Sequence, residues 1–365
     1  MASWSLLLAD LSGTTLGEIT NASDRKLSFP LNRMATGSFR VRLDHPLGED
    51  LLDGDRLVKV YQEDADGTSQ IRMVGEIVSV EEVASESDSG SLAVTFAEAG
   101  FWRLTHRLVG KSGTGVSYGT ALSPVDRGSI AQSIITAVNG DADTGIRIGT
   151  ISASASGYVG PWYYKQASEA LLELSSTLDG FDFRFSPVEP YSDASGLVIG
   201  EFDAAAVLGT TRSDMVFEFG TGRRNIKEIK RQVGREGLLT KGYHLPPGFP
   251  ESSAPVVSVE DTIAEAERGL HESLITSDLS VADLRLALTE EHVEVRRQPR
   301  QLITFEPTAY ANEFNDGYEV GDIVQARAAI EGSVRFNAFF RIYGVDLSLS
   351  PEGLPTYAIT LVPED

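Results

Sequence analysis

Apolar and polar residues alternate along much of the first hundred positions, the period of a strand with one buried face. Phe39-Arg40-Val41-Arg42-Leu43 is the clearest case, a strand with a basic outer face that stops at the turn signal Asp44-His45-Pro46. Leu57 to Tyr61 and Ile71 to Val83 read as paired strands around the polar loop 62–67. A short acidic, serine-rich loop, 85–90, leads into Leu92-Ala93-Val94-Thr95-Phe96. After Phe101 the period changes. Ala131, Ile134, Ile135 and Val138 recur at helical spacing, and Ala167, Ala170, Leu171, Leu174 and Leu178 repeat that stripe. Each run ends at a capping pair, Asn139-Gly140 and Asp179-Gly180, and an alternating strand follows each, 146–148 and 181–185. The glycine-rich stretch from Lys111 to Gly119 reads as a flexible connector.

Strand patterns resume at Leu197–Ile199 and Met215–Phe219. Residues 243–255 form a proline-rich loop, and Ser280 caps a helix starting near Val281 with Leu284, Ala287 and Leu288 on one face. Gln301 to Phe305 open a final β segment. The predicted fold is mainly β with an α+β insertion: two tube-like β-barrel or sandwich modules, N- and C-terminal, flank a small α+β domain. The expected boundaries are 1–104 for the first module, 105–190 for the middle domain and 191–365 for the second module. That second module carries a helical and loop insertion at about 223–300.

Two distant stretches follow the same order. Gly54-Asp55 precedes a strand, a turn, Arg72-Met73-Val74-Gly75 and the strand 92–96. Gly321-Asp322 precedes a strand, a turn, Arg341-Ile342-Tyr343-Gly344 and the strand 357–361. The repeat-defining residues are therefore Gly54, Asp55, Arg72 and Gly75, matched by Gly321, Asp322, Arg341 and Gly344. A duplicated β module suggests a symmetric building part: two like modules per chain can alternate around a ring, so a trimer presents six similar units.

The net charge of −22, from 53 acidic and 31 basic residues, argues against a nucleic-acid binder, which needs excess Lys and Arg to neutralise phosphates. The charge serves either solubility or an acidic lumen past which DNA slides. The chain has no cysteine, which excludes disulfides, zinc-thiolate sites and a cysteine nucleophile. No apolar run reaches the length of a membrane span, and the N-terminus lacks the basic segment of a secretory signal.

The five histidines, at 45, 106, 244, 271 and 292, sit at no metal-binding spacing. Gly110-Lys111-Ser112 lacks the glycine that a phosphate loop needs five residues earlier, where Thr105 stands. Asp64-Ala65-Asp66-Gly67 lacks an EF-hand's final carboxylate, because Met73 occupies that position. Asp141 and Asp143 read as turn formers. Trp4, Trp102 and Trp162 lie beside apolar stretches and read as core rather than as a sugar platform. No catalytic, cofactor or metal site is assigned, and the chain is expected not to be an enzyme. One local anomaly stands out in so acidic a chain. Arg223, Arg224, Lys227, Lys230 and Arg231 form a basic strip, either a docking surface for an acidic neighbour or a solvated face.

Trp4 through Leu8, Gly13, Glu18, Leu27 to Asn32 and Gly37-Ser38-Phe39 resemble the opening of minor tail proteins of siphoviruses, especially those infecting actinobacteria. Gly54 to Val60 with Arg72 to Gly75, Trp162 to Phe185 and Gly321 to Val362 continue the resemblance, and 191–300 matches least. The motifs are short and apolar, spread over most of the chain. The resemblance implies a tail hub, similar to the hub of contractile-phage baseplates. Such a hub is a homotrimer whose two tube-like domains per chain make a pseudo-hexameric ring at the tail tip. It links the distal tail protein to tip or fibre proteins, surrounds the tape-measure protein, and lets DNA through without specific binding or membrane insertion. It also implies no peptidase or lysin appendage here, since the chain ends with its second β module. Two alternatives are a tail component that binds host cell-wall carbohydrate and a carboxylate-type cell-wall hydrolase.

Overall fold

The computed structural model describes residues 3–363 apart from 65–66, 86–87, 112–115, 119–122, 153, 158, 177–179, 221–224, 247, 251–253, 277–281, 309–317, 330–334 and 351–353. The first unit contains β1 (Ser3–Ala9), β2 (Thr15–Glu18), β3 (Ser23–Pro30), β4 (Thr36–Arg42), the short helix α1 (Gly48–Asp53), β5 (Leu57–Glu63), β6 (Ser69–Ser85) and β7 (Asp88–Glu98). These strands form a sheet in the order β3-β4-β7-β6-β5-β1-β2. The ring of Phe96 on β7 lies over Gly37 of β4 and Gly75 of β6. A Cβ on Gly75 would meet the Phe96 ring at 2.6 Å, so a large side chain fills the core only because its neighbours carry none.

The middle unit begins with α2 (Ala99–Thr105), followed by the short strands β8 (Leu108–Val109), β9 (Val116–Tyr118) and β10 (Val125–Asp126), then α3 (Arg127–Asp141) and β11 (Ile146–Ile151). Next come β12 (Ser156–Gly157), β13 (Val159–Trp162), β14 (Lys165–Gln166), α4 (Ala167–Ser175), β15 (Asp182–Ser192) and β16 (Leu197–Ala205). The Asp126 carboxylate caps α3 by accepting from the Ser129 N–H at 2.8 Å. The helix runs through Asn139 and Gly140 to Asp141, past the expected stop. The Asn139 side chain accepts from the Thr144 N–H at 3.1 Å and donates to the Ile146 carbonyl at 2.8 Å, so it fastens the chain beyond the helix instead of ending it. The other expected cap, Asp179, and Leu178 lie outside the described residues. The stripes of α3 and α4 pack against Phe181, Phe183, Phe185 and Phe202 in a core of their own. β16 pairs antiparallel with β15 and parallel with β11, so the boundary expected at residue 190 falls inside a hairpin and the sheet carries this unit to Ala205.

The last unit has β17 (Thr211–Phe219) and β18 (Ile226–Gly234). An insertion follows, with β19 (Lys241–His244), β20 (Val257–Glu260), α5 (Thr262–Arg268), β21 (Glu272–Ile275) and α6 (Ala282–Arg296). The chain then returns through β22 (Arg300–Pro307), β23 (Ile323–Ala329), β24 (Arg335–Leu349) and β25 (Pro355–Pro363). Gly234 of β18 faces Arg300 of β22, so the insertion leaves and re-enters at one point of a hairpin. Its helix α6 buries Arg285, Thr289 and Val293, while Ala287 of the expected apolar face is exposed. Ser280 lies outside the described residues.

The strand order of this unit is β18-β22-β25-β24-β23-β17. Laid over the first unit, β18 corresponds to β3, β22 to β4, β25 to β7, β24 to β6, β23 to β5 and β17 to β1, in the same order along the chain. One orientation differs: β1 is antiparallel to β5, whereas β17 is parallel to β23. No ladder among the described residues closes either unit into a barrel. In the second unit the Asn225 side chain spans the gap between β17 and β18, accepting from the Glu218 N–H at 2.6 Å and donating to the Val216 carbonyl at 2.7 Å. The two units are welded into one sheet by antiparallel pairing of β24 with β3, where Leu347 faces Leu27. They share one core, and in it the Trp4 indole donates to the Tyr357 hydroxyl at 3.4 Å.

Candidate functional site

The residues that mark the sequence repeat do different work in its two copies. Gly54 ends α1 with φ +75°, and nothing crowds the place of its missing side chain. Asp55 is exposed, and the neighbouring Arg56 pairs with Asp50 at 2.9 Å and Asp53 at 2.8 Å. Gly321 has φ +99°, and a Cβ there would meet the Leu208 carbonyl oxygen at 2.5 Å. Asp322 is buried and accepts from the Thr210 N–H at 2.7 Å and the Glu319 N–H at 2.8 Å. Val58 faces Gly75, but Val324 faces Phe340, so the two motifs enter their ladders at different registers. The correspondence lives in strand order and not in these residues' roles.

Arg72 donates to the Gln62 side chain at 3.1 Å. Arg341 has a wider reach. It pairs with Asp182, donates to the Leu208 carbonyl at 3.0 Å and through Nε to the Gly321 carbonyl at 3.2 Å. Asp182 also accepts from the Asn32 side chain at 2.9 Å and from the Leu208 N–H at 2.7 Å. Three segments, 32 in the first unit, 182 in the middle unit and 341 in the last, thus meet at one carboxylate. Gly344 lies beside Phe29 and Pro30 of β3, where ordinary contact would admit a Cβ.

A second tie joins the first and middle units. The buried Lys59 ammonium meets Glu189 at 2.8 Å, and the Tyr61 hydroxyl donates to the same carboxylate. Burial and the Glu189 carboxylate both push the Tyr61 hydroxyl above the usual phenol range. Burial alone would raise Glu189, but hydrogen bonds from Lys59 and Tyr61 outweigh it and hold the carboxyl below its ordinary value. These contacts are structural clamps. Among the described residues no three His, Asp or Glu gather as metal ligands, and no helix is long and apolar enough to cross a membrane.

Of the basic strip, Arg223 and Arg224 lie outside the described residues. Lys227, Lys230 and Arg231 all stand exposed on β18. Lys227 pairs with Glu306 at 2.6 Å, Lys230 with Glu228 at 3.0 Å, and Arg231 donates to Gln301 at 3.0 Å. β18 bonds to β22 along one edge, and no described strand pairs with its other edge. Sequence reading located the charge but not the open edge that carries it, since edge position is a property of the whole sheet.

No family model matches the chain, and no curated protein matches it in sequence. Its likeness is to solved structures. A tail protein from Neisseria meningitidis matches at 13% identity over 100% of this chain and 97% of its own length, with a TM-score of 0.56. The 43 kDa tail protein of prophage MuSo2 from Shewanella oneidensis matches at 11% identity over 100% and 98%, with a TM-score of 0.59. A prophage tail protein, gp18, from Listeria monocytogenes matches at 13% identity over 99% and 94%, with a TM-score of 0.51. The chain has the fold of phage tail proteins along its entire length.

Proposed function

We propose that this chain is a structural virion protein, the trimeric hub at the tip of a phage tail. The observation that carries the proposal is the pair of units that share one order of six strands, joined edge to edge in a single sheet. Three such chains supply six similar units, which matches a hexameric tube by symmetry. The full-length likeness to phage tail proteins and the sequence resemblance to siphovirus minor tail proteins support the same reading. The work is geometric. The ring holds a channel open, connects the tail tube and distal tail protein to tip or fibre proteins, and surrounds the end of the tape-measure protein. The acidic excess lines the channel and keeps passing DNA from sticking. No bond is made or broken.

Light scattering coupled to gel filtration tests this directly. The expected mass is three times 39.4 kDa, stable across dilution. A monomer at every concentration, or peptidoglycan turnover by the pure protein, overturns the reading.

A further inference from the structure

Within the chain, β24 is covered along one edge by two strands in succession. β23 pairs with its first half, 335–341, and β3 with its second half, 344–349. The equivalent strand β6 is only half covered. β5 pairs with 69–76, and no described strand pairs with 77–85 on that edge. Val78, Glu81, Glu82 and Val83 are exposed there. The strand equivalent to β3 is β18, whose outer edge is also open. One chain therefore carries both halves of a joint it already makes once internally, on two different strands.

We infer that β18 of one copy pairs antiparallel with the second half of β6 in the next copy, repeating between chains the β3–β24 joint within each chain. The inference rests on the trimeric reading above and names the surface that builds it. The chemistry of the edges agrees. β18 offers Lys227, Lys230 and Arg231 against Glu228, while 77–83 of β6 offers Glu81 and Glu82 with no cation. Opposite charges facing each other across paired strands stabilise them, and like charges do the reverse. An open nine-residue edge is otherwise an aggregation hazard, which pairing with a second copy removes.

The printed registers fix which residues meet. Val94 on β7 matches Ile359 on β25, because their partners agree on both sides: Phe39 and Val80 for the first, Phe305 and Val345 for the second. Val345 faces Phe29 of β3, and Leu347 faces Leu27. Leu27 faces Gly37, two residues before Phe39, and Arg231 faces Ile303, two before Phe305. Leu27 thus corresponds to Arg231 and Phe29 to Val233. Carried over to the joint between copies, Val80 faces Val233 of the next copy, and Glu82 faces Arg231. The exposed Val233 gains an apolar partner and the exposed Glu82 a cation.

The cysteine-free chain makes the test clean. In the full-length protein, Val80→Cys with Val233→Cys should form intermolecular disulfides under mild oxidation, and each single variant should not. Glu82→Arg and Arg231→Glu lie on exposed side chains, so each folds. Each should weaken the trimer at least tenfold by light scattering, and the double variant should restore it. A wild-type monomer overturns the trimeric reading and this joint together. A wild-type trimer with no cross-link, and with both charge reversals neutral, overturns the joint alone.

Discussion

Arg341 reaches from β24 to the carboxylate of Asp182 at the start of β15, and the pair ties the last unit to the middle one. Asp182 is almost wholly buried, and Arg341 mostly so. Removing one partner leaves the other charged and dry, which costs about 3–5 kcal/mol for a buried pair. Asp182→Ala should therefore lower unfolding free energy by several kcal/mol in denaturant melts. Arg341→Lys should recover only part of the loss, because an ammonium cannot span Asp182, Leu208 and Gly321 at once.

The two repeat glycines should respond differently to the same change. Gly54→Ala meets open space and bears only the strain of a left-handed backbone, about 1–2 kcal/mol. Gly321→Ala adds a collision with the Leu208 carbonyl. It should destabilise the protein several times more than Gly54→Ala, or prevent folding. Paired thermal melts read the difference.

Glu98, half-buried at the start of α2, has its carboxyl pushed up to about 8 by burial, against a weak pull from the Ala35 N–H at 3.4 Å. A carboxyl raised in the fold and ordinary in the unfolded chain favours folding least when ionised. Stability is thus complete below about 4.5, falls as pH rises, and levels off above about 8. Glu98→Gln should flatten this slope and leave the variant more stable than wild type at pH 8. Denaturant titrations at pH 5, 7 and 9 decide it.

The insertion should weaken in acid. Burial lowers His244 from its usual value, with Arg285 nearby. Burial, Arg296 and His244 lower His292, opposed by Glu173 of α4. A histidine depressed in the fold contributes stability above the unfolded value near 6.5 and loses it as pH falls. Hydrogen exchange in 241–296 should speed up at pH 5 relative to pH 8, beyond the intrinsic chemical rate. His244→Gln should remove much of that difference.

Local period was enough to place β4 and the helices α3 and α4, because each buries one face against its own neighbours, while β5 and β6 were legible as apolar runs although both faces are buried at 57–60 and 73–75. It failed where distant partners decide. β16 belongs to the middle sheet through its parallel pairing with β11, a contact that no local pattern records. The buried stripe of α6 runs through Arg285 and Thr289, polar residues that a search for apolar spacing passes over. Gly-Asp pointed to two units that share a strand order, but through residues that do different work in each, since a glycine before a strand answers to whatever backbone lies beside it. The basic strip was visible as charge, but its open edge, and the matching gap on β6, emerged only from the strand order.

Where the first unit turns from β3 to β4 within 31–35, the last unit spends 235–299 on a separate folded body. Because that body enters and leaves beside the facing pair Gly234 and Arg300, its ends lie as close as the ends of a simple turn. The hairpin is thus a socket. A lineage can enlarge, exchange or discard what is plugged there while the shared sheet stays as it is. New surface can then be acquired at this position without altering the strand pairing that joins the two units.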